Sequence, residues 1–317
     1  MGLKCASFFA GVGGIDKGFE KAGFETIFAN EFDYNASITY KANFPNVEFS
    51  PADIRTLNEK TDIPDFDIML AGFPCQAFSS VGLKDGFNDP RGNLFFEILR
   101  IAKVAKSRVI LLENVANLIK HDEGNTFKVI IDSLSQLKYH VVYQVMNAKE
   151  YGGLPQQRNR IYIVAFRFKK DLKKFHFPEK MPLVTTAFDY FEKNKIDDKY
   201  YMDGHRMWKR MMEYMDDKKR VYRFTDWGLS RGMEGRCPTL LAAMGSRFER
   251  IPFFYDNYSV RLMTPRECAR LQGFPEDYSF PAISEKEIYK QIGNSVCVPV
   301  IKRIAAQIKM VLDEGES

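Results

Sequence analysis

The chain has 317 residues, 45% of them hydrophobic, and a formal net charge of +5, which is enough to build one large domain or two around a substantial core. No apolar run approaches the roughly 18 residues of a membrane span. The five cysteines are odd in number and lack C-x-x-C spacing, and with only four histidines they argue against a structural zinc site. The composition therefore predicts a reduced, cytoplasmic protein without a metal.

The N-terminal sequence does not match the patterns of targeting segments. It is apolar after Lys4 but lacks a small-x-small cleavage site and runs directly into a Gly-rich turn, so we expect no signal peptide. Ala6 stands where the myristoylation pattern requires Ser or Thr.

The first predicted unit is a strand, a glycine turn and a helix. A buried strand over Leu3–Phe9 enters the turn Phe9–Gly14, and a helix over Ile15–Ala22 ends at Gly23. Such a turn lets the backbone approach a nucleotide-type cofactor. Because the spacing is not G-x-G-x-x-G, the turn alone is weak evidence for a dinucleotide.

Two acidic residues follow the next predicted strands. A second strand over Thr26–Asn30 ends at Glu31, and a third over Val47–Phe49 leads to Asp53. An acid at the tip of strand two is placed to bind ribose hydroxyls, and Asp53 could contact an adenine amino group. Each carboxylate alone would more often be a solvated surface group, and only their position after the glycine turn favours ligand contact.

A cysteine lies just beyond the fourth predicted strand. Phe66–Leu70 reads as a short buried strand, and Gly72–Gln76 places Cys75 past its tip. Ligands of open α/β sheets bind outside the carboxyl ends of strands, where a thiol can act as a nucleophile. A lone free cysteine is more often a buried small hydrophobe, so this hypothesis depends on the rest of the chain. Residues 77–92 predict a long lid or binding loop.

The alternation of helices and strands continues beyond this loop. An amphipathic helix is predicted over Gly92–Lys106, and the strand Val109–Leu112 ends at Glu113. A further helix over Asn125–Leu137 and a strand over Val141–Val145 follow. This alternation predicts a doubly wound α/β sheet, with Glu113 one strand tip away from the cysteine.

Two arginines precede the last predicted strand of this region. Arg158 and Arg160 alternate at the start of the strand over Ile161–Ala165, so they are predicted to share a face. Regular alternation then stops after Arg167. Order returns with a helix over Pro265–Leu271 and a last helix over Pro299–Leu312.

The segment from Phe168 to Val260, between these regions, is basic and irregular. It carries 19 Lys and Arg against 14 Asp and Glu, while the rest of the chain carries 27 of each, and it holds both tryptophans, Trp208 and Trp227. A basic, aromatic-bearing segment suits polyanion binding, although chance clustering on a solvated surface would give the same count. We predict a second, smaller domain here.

Six short motifs, in order and nearly spanning the chain, resemble the C5-cytosine-specific DNA methyltransferases of bacterial restriction–modification systems. They are Phe9–Gly14 (FAGVGG), Gly72–Gln76 (GFPCQ), Glu113–Val115 (ENV), Gln157–Arg160 (QRNR), Arg261–Pro275 (RLMTPRECARLQGFP) and Gly293–Val296 (GNSV). Any one of them is a weak signal, whereas the ordered set is specific. The middle segment matches only around Pro238–Leu240.

The resemblance implies a domain organisation and a methyl donor. It implies a cofactor-binding and catalytic domain over 1–167, a target-recognition domain over 168–258 and a return segment over 259–317 that completes the first domain. It implies S-adenosylmethionine as donor and double-stranded DNA as substrate, and we expect a monomer. The implied cofactor positions are Phe9, Gly11, Gly13, Glu31, Asp53, Pro74, Asn294 and Ser295.

The predicted chemistry follows from the poor nucleophilicity of cytosine C5. Addition of the Cys75 thiolate to C6 would convert the ring to an enamine, and Glu113 is the candidate donor of a proton to N3. Arg160 is suited to hold the base O2, and Arg158 to orient Glu113 or stabilise the thiolate.

Because the base is inaccessible within a stacked duplex, the prediction includes base flipping, with residues 77–92 as a clamp. Six basic residues are candidates for phosphate contacts, with ordinary surface charge as the equally weighted alternative for each: Lys84, Arg206, Lys209, Arg210, Arg231 and Arg247.

Three other functions are compatible with parts of the sequence. A tRNA cytosine-C5 methyltransferase would share the same motifs, but the basic middle segment of about 90 residues favours duplex DNA. A catalytically inert DNA-binding module is disfavoured by the intact Cys75, Glu113, Arg158 and Arg160. An NAD-dependent oxidoreductase is disfavoured by the glycine spacing.

Overall fold

The structure is a computed structural model that describes residues 2–74, 94–205, 208–215, 217–225, 228–281 and 283–314. Its chain forms two compact units. The first comprises Met1–Met146, Asn159–Glu179 and Val300–Ser317, and the second comprises Asn147–Arg158 and Lys180–Pro299. Cys75 and the whole of the predicted loop 77–92 lie outside the described residues.

Strands and helices alternate along much of the first unit, and the second unit contains the short strands β8 to β11. The strands are β1 (Lys4–Phe8), β2 (Glu25–Asn30), β3 (Glu48–Ser50), β4 (Ile68–Ala71), β5 (Val109–Val115), β6 (His140–Asn147), β7 (Asn159–Phe166), β8 (Tyr222–Thr225), β9 (Gly228–Arg231), β10 (Phe253–Tyr255) and β11 (Val260–Leu262). The described helices are α1 (Gly14–Glu20), α2 (Tyr34–Asn43), α3 (Leu94–Ala105), α4 (Asn125–Gln136), α5 (Ala148–Tyr151), α6 (Lys169–Lys174), α7 (Trp208–Tyr214), α8 (Pro265–Gln272), α9 (Glu285–Asn294) and α10 (Val298–Asp313).

The first unit is built on a seven-stranded sheet with the order β3-β2-β1-β4-β5-β7-β6. Pairs β1–β2, β2–β3, β1–β4 and β4–β5 are parallel, whereas β7 runs antiparallel to β5. The predicted α/β fold class, with a large parallel-dominated sheet, is confirmed. The parallel order brings the carboxyl ends of β1, β2, β4 and β5 to one edge, which is where ligands bind in such sheets.

Apolar side chains on the sheet pack against an amphipathic helix. Along α3, Phe95, Ile98 and Leu99 are fully buried and belong to the same core cluster as Met69 of β4 and Ile110 of β5. Both strands are buried along their central residues, as expected for parallel strands covered on two faces. This core holds the tips of β4 and β5 in fixed register.

The second unit contains a four-stranded antiparallel sheet with the order β11-β10-β8-β9. Its core includes the stacked rings of Tyr222 and Phe253, with centroids 5.9 Å apart. Nearby, fully buried Arg261 pairs with Glu267 at 2.7 Å and with Asp256 at 2.8 Å. Because these strands have only three or four residues, their periodicity is too short to be recognised in the sequence, which predicts only an irregular segment.

Several element boundaries differ from the predictions. Strand β5 extends to Val115, so Glu113 lies inside the strand instead of beyond it. Strand β7 begins at Asn159, so Arg158 precedes it and does not share a strand face with Arg160. Helix α9 covers part of the predicted Gly293–Val296 motif. Helix α8 begins at Pro265, as predicted, and ends at Gln272, one residue later than predicted, with Thr264 as N-cap and Gly273 as C-cap.

The compact units also differ from the predicted domains. Helix α6 falls in the first unit, while residues 259–299 of the predicted return segment fall in the second. The functional domain limits remain a prediction. Within the described residues, none of the helices is long and apolar enough to span a membrane.

Candidate active site

The loop between β1 and α1 has an unusual backbone. Phe9, Gly11 and Gly13 all have positive φ values, of 53°, 56° and 79°. For Phe9 this conformation costs roughly 1–2 kcal/mol, a strain of the kind found at ligand sites. A Cβ on Gly13 would lie 2.3 Å from the ring of Phe44, whereas a Cβ on Gly11 would project into open space. The loop therefore requires glycine at position 13 for packing, and it is open at position 11.

Glu31 is fixed against this loop. Its Oε2 accepts a hydrogen bond from the Gly11 N–H at 2.9 Å, and its Oε1 accepts one from the Asp33 N–H at 2.7 Å. Burial raises the pKa of Glu31. The neighbouring Phe32 is 71% exposed. The carboxylate thus connects the tip of β2 to the glycine loop, and its predicted contact with ribose remains a prediction.

Asp53 has a partner within its own segment. Its Oδ1 accepts from the Arg55 N–H at 3.0 Å and from Arg55 Nε at 2.9 Å, and hydrogen bonds from the Arg55 side chain hold its pKa below the usual range. The amide of Asn30 donates to the carbonyls of Ser50 and Ala52, which ties this segment to the end of β2. The predicted contact of Asp53 with adenine remains a prediction.

A carboxylate and a guanidinium meet at the end of β5. Glu113 Oε1 lies 3.1 Å from Arg160 Nε, and their side chains are 10% and 14% exposed. The residues that carry them are close because β5 and β7 pair antiparallel, with Val115 opposite Arg160. A Cβ on Gly72 would lie 3.9 Å from Glu113 Oε2. Glu113 therefore lies against the chain three residues before Cys75.

A second contact fixes the chain that leads to the cysteine. The side-chain amide of Asn114 donates to the carbonyl of Phe73 at 2.9 Å, and both residues are buried. Pro74 follows and is exposed. The motif of residues 113–115 pointed to the carboxylate but not to this role of Asn114, which depends on the β4–β5 register.

Arg158 has partners other than those predicted. It is 2% exposed, and its guanidinium donates to the carbonyls of Leu240 at 2.8 Å, Gly293 at 3.1 Å and Ser295. All four residues belong to the second unit. The structure therefore supports an anchoring role for Arg158, and its predicted action on Glu113 or the thiolate gains no support from these contacts.

The two remaining predicted cofactor residues end α9. Asn294 is exposed, and Ser295 is buried with its Oγ lacking a hydrogen-bond partner among the described atoms. The preceding Gly293 packs on the segment around Leu241, since a Cβ there would lie 2.1 Å from the Leu241 carbonyl carbon. These residues lie in the second unit, and the other six cofactor candidates lie in the first.

The basic surface candidates are described only in part. Lys209 and Arg247 are exposed. Lys84 and Arg206 lie outside the described residues, as do the side chains of Arg210 and Arg231. Four described cysteines are free and buried, and no cluster of three or more metal-ligating side chains occurs in the described part of the chain.

Comparison with known proteins agrees with this arrangement. A model of the family described as C-5 cytosine-specific DNA methylase matches residues 3–310. The chain belongs to this family. The Type II methyltransferase M.Bsp6I of Bacillus sp. (strain RFL6) is 47% identical over 311 residues, which cover 96% of this chain and 98% of that protein. M.HhaI of Haemophilus parahaemolyticus is 37% identical over 313 residues, covering 97% and 94%.

Solved structures show the same fold at lower identity. A mutant DNMT2 of Spodoptera frugiperda has a TM-score of 0.74 and 22% identity, covering 97% of this chain and 99% of that one. A putative DNA modification methyltransferase from an Escherichia coli prophage has a TM-score of 0.69 and 24% identity. The predicted family and enzyme class, a DNA (cytosine-5-)-methyltransferase, are confirmed.

The glycine loop of this methylase fits the methyl donor of its family, S-adenosylmethionine. Open space at Gly11, the carboxylate of Glu31 beside it and the exposed ring of Phe32 suit an adenosine with free ribose hydroxyls. Phe32 is not among the residues predicted from the sequence, because a single aromatic residue after an acidic one does not distinguish a ligand site from an ordinary surface.

Proposed function

We propose that this chain transfers the methyl group of S-adenosylmethionine to C5 of a cytosine in a specific short sequence of double-stranded DNA. The observation that carries the proposal is the Glu113–Arg160 pair, held against Gly72 three residues before Cys75. The names of relatives such as M.Bsp6I, a Type II methyltransferase, support a role as the modification enzyme of a restriction–modification system.

The first proposed step is covalent. The Cys75 thiolate forms a bond to C6, and the electron pair of the C5–C6 double bond moves to C5 as N3 becomes protonated. Glu113 is the proposed donor of that proton. Without such a donor the ring would carry the full negative charge, and addition would be unfavourable.

Arg160 positions Glu113 in this proposal. Its Nε lies 3.1 Å from Glu113 Oε1, which holds the carboxyl group beside Gly72. As the base binds, Arg160 donates one N–H to the base O2 and keeps another N–H directed at the Glu113 carboxylate.

The second step completes the transfer. S-adenosylmethionine, when bound, supplies an electrophilic methyl group to C5, and S-adenosylhomocysteine is the leaving group. The C5 hydrogen is then taken as a proton by water, the electron pair of that C–H bond reforms the C5–C6 double bond, and the Cys75 sulfur leaves C6 with the electrons of the S–C6 bond. The N3 proton returns to Glu113, so the protein ends in its initial state.

Access and selectivity require further parts of the chain. Since C5 and C6 are shielded in a stacked duplex, the cytosine must flip out, with residues 77–92 as the proposed clamp. Residues 168–258 are the proposed target-recognition domain, because the motif-bearing parts are occupied by cofactor and chemistry. Lys209 and Arg247, both exposed there, are candidate phosphate contacts. We propose a monomer acting on one site at a time.

A duplex with 5-fluorocytosine at the target tests nucleophile and substrate together. Fluorine cannot leave C5 as a proton, so the protein should remain bonded to the DNA after methyl transfer. The adduct should need S-adenosylmethionine, survive denaturing electrophoresis and vanish in Cys75→Ser, whose hydroxyl is far less nucleophilic. Trapping that persists in Cys75→Ser would overturn the mechanism. Trapping of fluorinated tRNA in preference to duplex DNA would instead indicate the tRNA enzyme, which the comparisons do not favour.

A further inference from the structure

The side chain of Asn114 joins β5 to the chain that leaves β4, at a point where the backbone pairing of the two strands has ended. The ladder between them stops at Ala71 and Leu112. Two residues further along each chain segment, Asn114 Nδ2 donates to the carbonyl of Phe73 at 2.9 Å. Both residues are 4% exposed, so water does not compete for this contact. The side-chain amide therefore fixes the outgoing chain to β5.

Asparagine suits this position because its side chain must donate one hydrogen bond and accept another. Asn114 Oδ1 accepts from the Val115 N–H at 2.8 Å, and this contact directs Nδ2 at Phe73. An ionised aspartate has the same shape but no N–H donor, and a serine hydroxyl ends one bond short of the amide nitrogen. The pair of contacts made by Asn114 is therefore specific to an amide.

Phe73 is held at its side chain as well as at its carbonyl. The centroid of its ring lies 5.4 Å from that of Phe95, which is fully buried. Pro74 follows with a φ fixed by its own ring, and the peptide units on both sides of it are planar. Between the carbonyl of Phe73 and the backbone nitrogen of Cys75, ψ of Pro74 is therefore the only soft torsion. A displacement of Phe73 is passed on to the cysteine.

The proposed acid lies on the same strand. Glu113 directly precedes Asn114 in β5, and a Cβ on Gly72 would lie 3.9 Å from Glu113 Oε2. Because successive side chains of a strand point to opposite faces, these two residues lie against the outgoing chain on different faces of β5. One short stretch of a buried strand thus sets the spacing between Glu113 and the chain that carries the nucleophile.

We infer that Asn114 is a positioning residue for methyl transfer, which holds the nucleophile-bearing chain in register with Glu113. The inference rests on the proposed function, in which Cys75 adds to C6 while Glu113 supplies a proton to N3. Both groups must reach one cytosine ring at the same time, and a displacement of about 1 Å can slow such a step roughly 100-fold. Asn114 has no contact with the base in this scheme and acts through Phe73.

The test measures the rate constant for adduct formation in a single turnover, with protein in excess over a duplex carrying 5-fluorocytosine and with saturating S-adenosylmethionine. In Asn114→Asp we expect this rate constant to fall about ten- to hundredfold, while the KM values for duplex and donor stay within threefold of wild type. Because folded protein saturates the duplex, the rate constant does not depend on the fraction that is unfolded. Asn114→Ser adds no charge and should show the same fall, so the measurement remains decisive where the aspartate prevents folding.

Tyr139→Phe is the matched control. The Tyr139 hydroxyl donates to the carbonyl of Ser107 at 2.9 Å, and both residues are 2% exposed. Ser107 lies just before β5, at the opposite end of the strand from Asn114. Because this variant also removes a buried donor from a backbone carbonyl, its melting temperature should fall as well. Its rate constant for adduct formation should nevertheless stay within twofold of wild type.

Three results would overturn the inference: a rate constant within twofold of wild type in both Asn114 variants, a loss confined to the KM values, or an equal fall in Tyr139→Phe. Absence of any adduct with the wild type would instead contradict the proposed function.

Discussion

Replacing Arg158 separates an anchoring role from a catalytic one. Its guanidinium donates three hydrogen bonds, to the carbonyls of Leu240, Gly293 and Ser295, and the residue is 2% exposed. A hydrogen bond to a charged group contributes about 1.5–3 kcal/mol. Arg158→Met keeps the aliphatic stem but leaves three carbonyls without these donors. Allowing for partial rearrangement, we expect the free energy of unfolding to fall by about 3–5 kcal/mol.

The assay is urea denaturation followed by far-UV circular dichroism, together with turnover on duplex DNA. Arg160→Met is the matched control, because it removes the same chemical group from a partly exposed site that pairs with Glu113. That variant should lose turnover, and its free energy of unfolding should fall less than in Arg158→Met, because Arg160 is 14% exposed and water can reach the Glu113 carboxylate that it leaves. If Arg158→Met were as stable as wild type yet inactive, Arg158 would act at the reacting base, and our reasoning from its contacts would be refuted.

Three further changes give separate predictions. Glu113→Gln keeps the shape of the side chain and loses the proton, so turnover should fall about 10²–10⁴-fold while DNA binding in a gel-shift assay is retained; unchanged turnover would remove Glu113 from the mechanism. Gly13→Ala and Gly11→Ala both incur about 1–2 kcal/mol for their positive φ, but only Gly13→Ala also meets Phe44, so it should lower the melting temperature more, and equal losses would contradict the packing argument. Exchanging residues 168–258 for those of a relative should change the methylated sequence, read by bisulfite sequencing, and preserve cofactor affinity; an active chimera that still methylates the original site would disprove the assignment.

The candidate positions of the first unit could largely be assigned to strand ends and turns from the sequence. Strand, glycine turn and helix around Phe9–Gly14 are specified by residues close in the chain, and so is the end of β2 at Glu31. Parallel strands place their carboxyl ends at one sheet edge, which makes such tips predictable sites. The prediction for Arg158 was less successful, since two arginines separated by one residue share a face only if both lie in one strand, and β7 begins between them.

By itself the sequence determined the α/β class, the family and the order of the chemical groups along the chain, because periodicity and short motifs are local properties. Only the tertiary structure decided the antiparallel pairing that brings Arg160 to Glu113, the hydrogen bond from Asn114 to Phe73 and the carbonyl partners of Arg158. Each of these depends on contacts between residues far apart in the chain. Packing decides which surface a polar side chain contacts and whether its hydrogen-bond partners are water or protein groups. A local sequence pattern does not encode that packing.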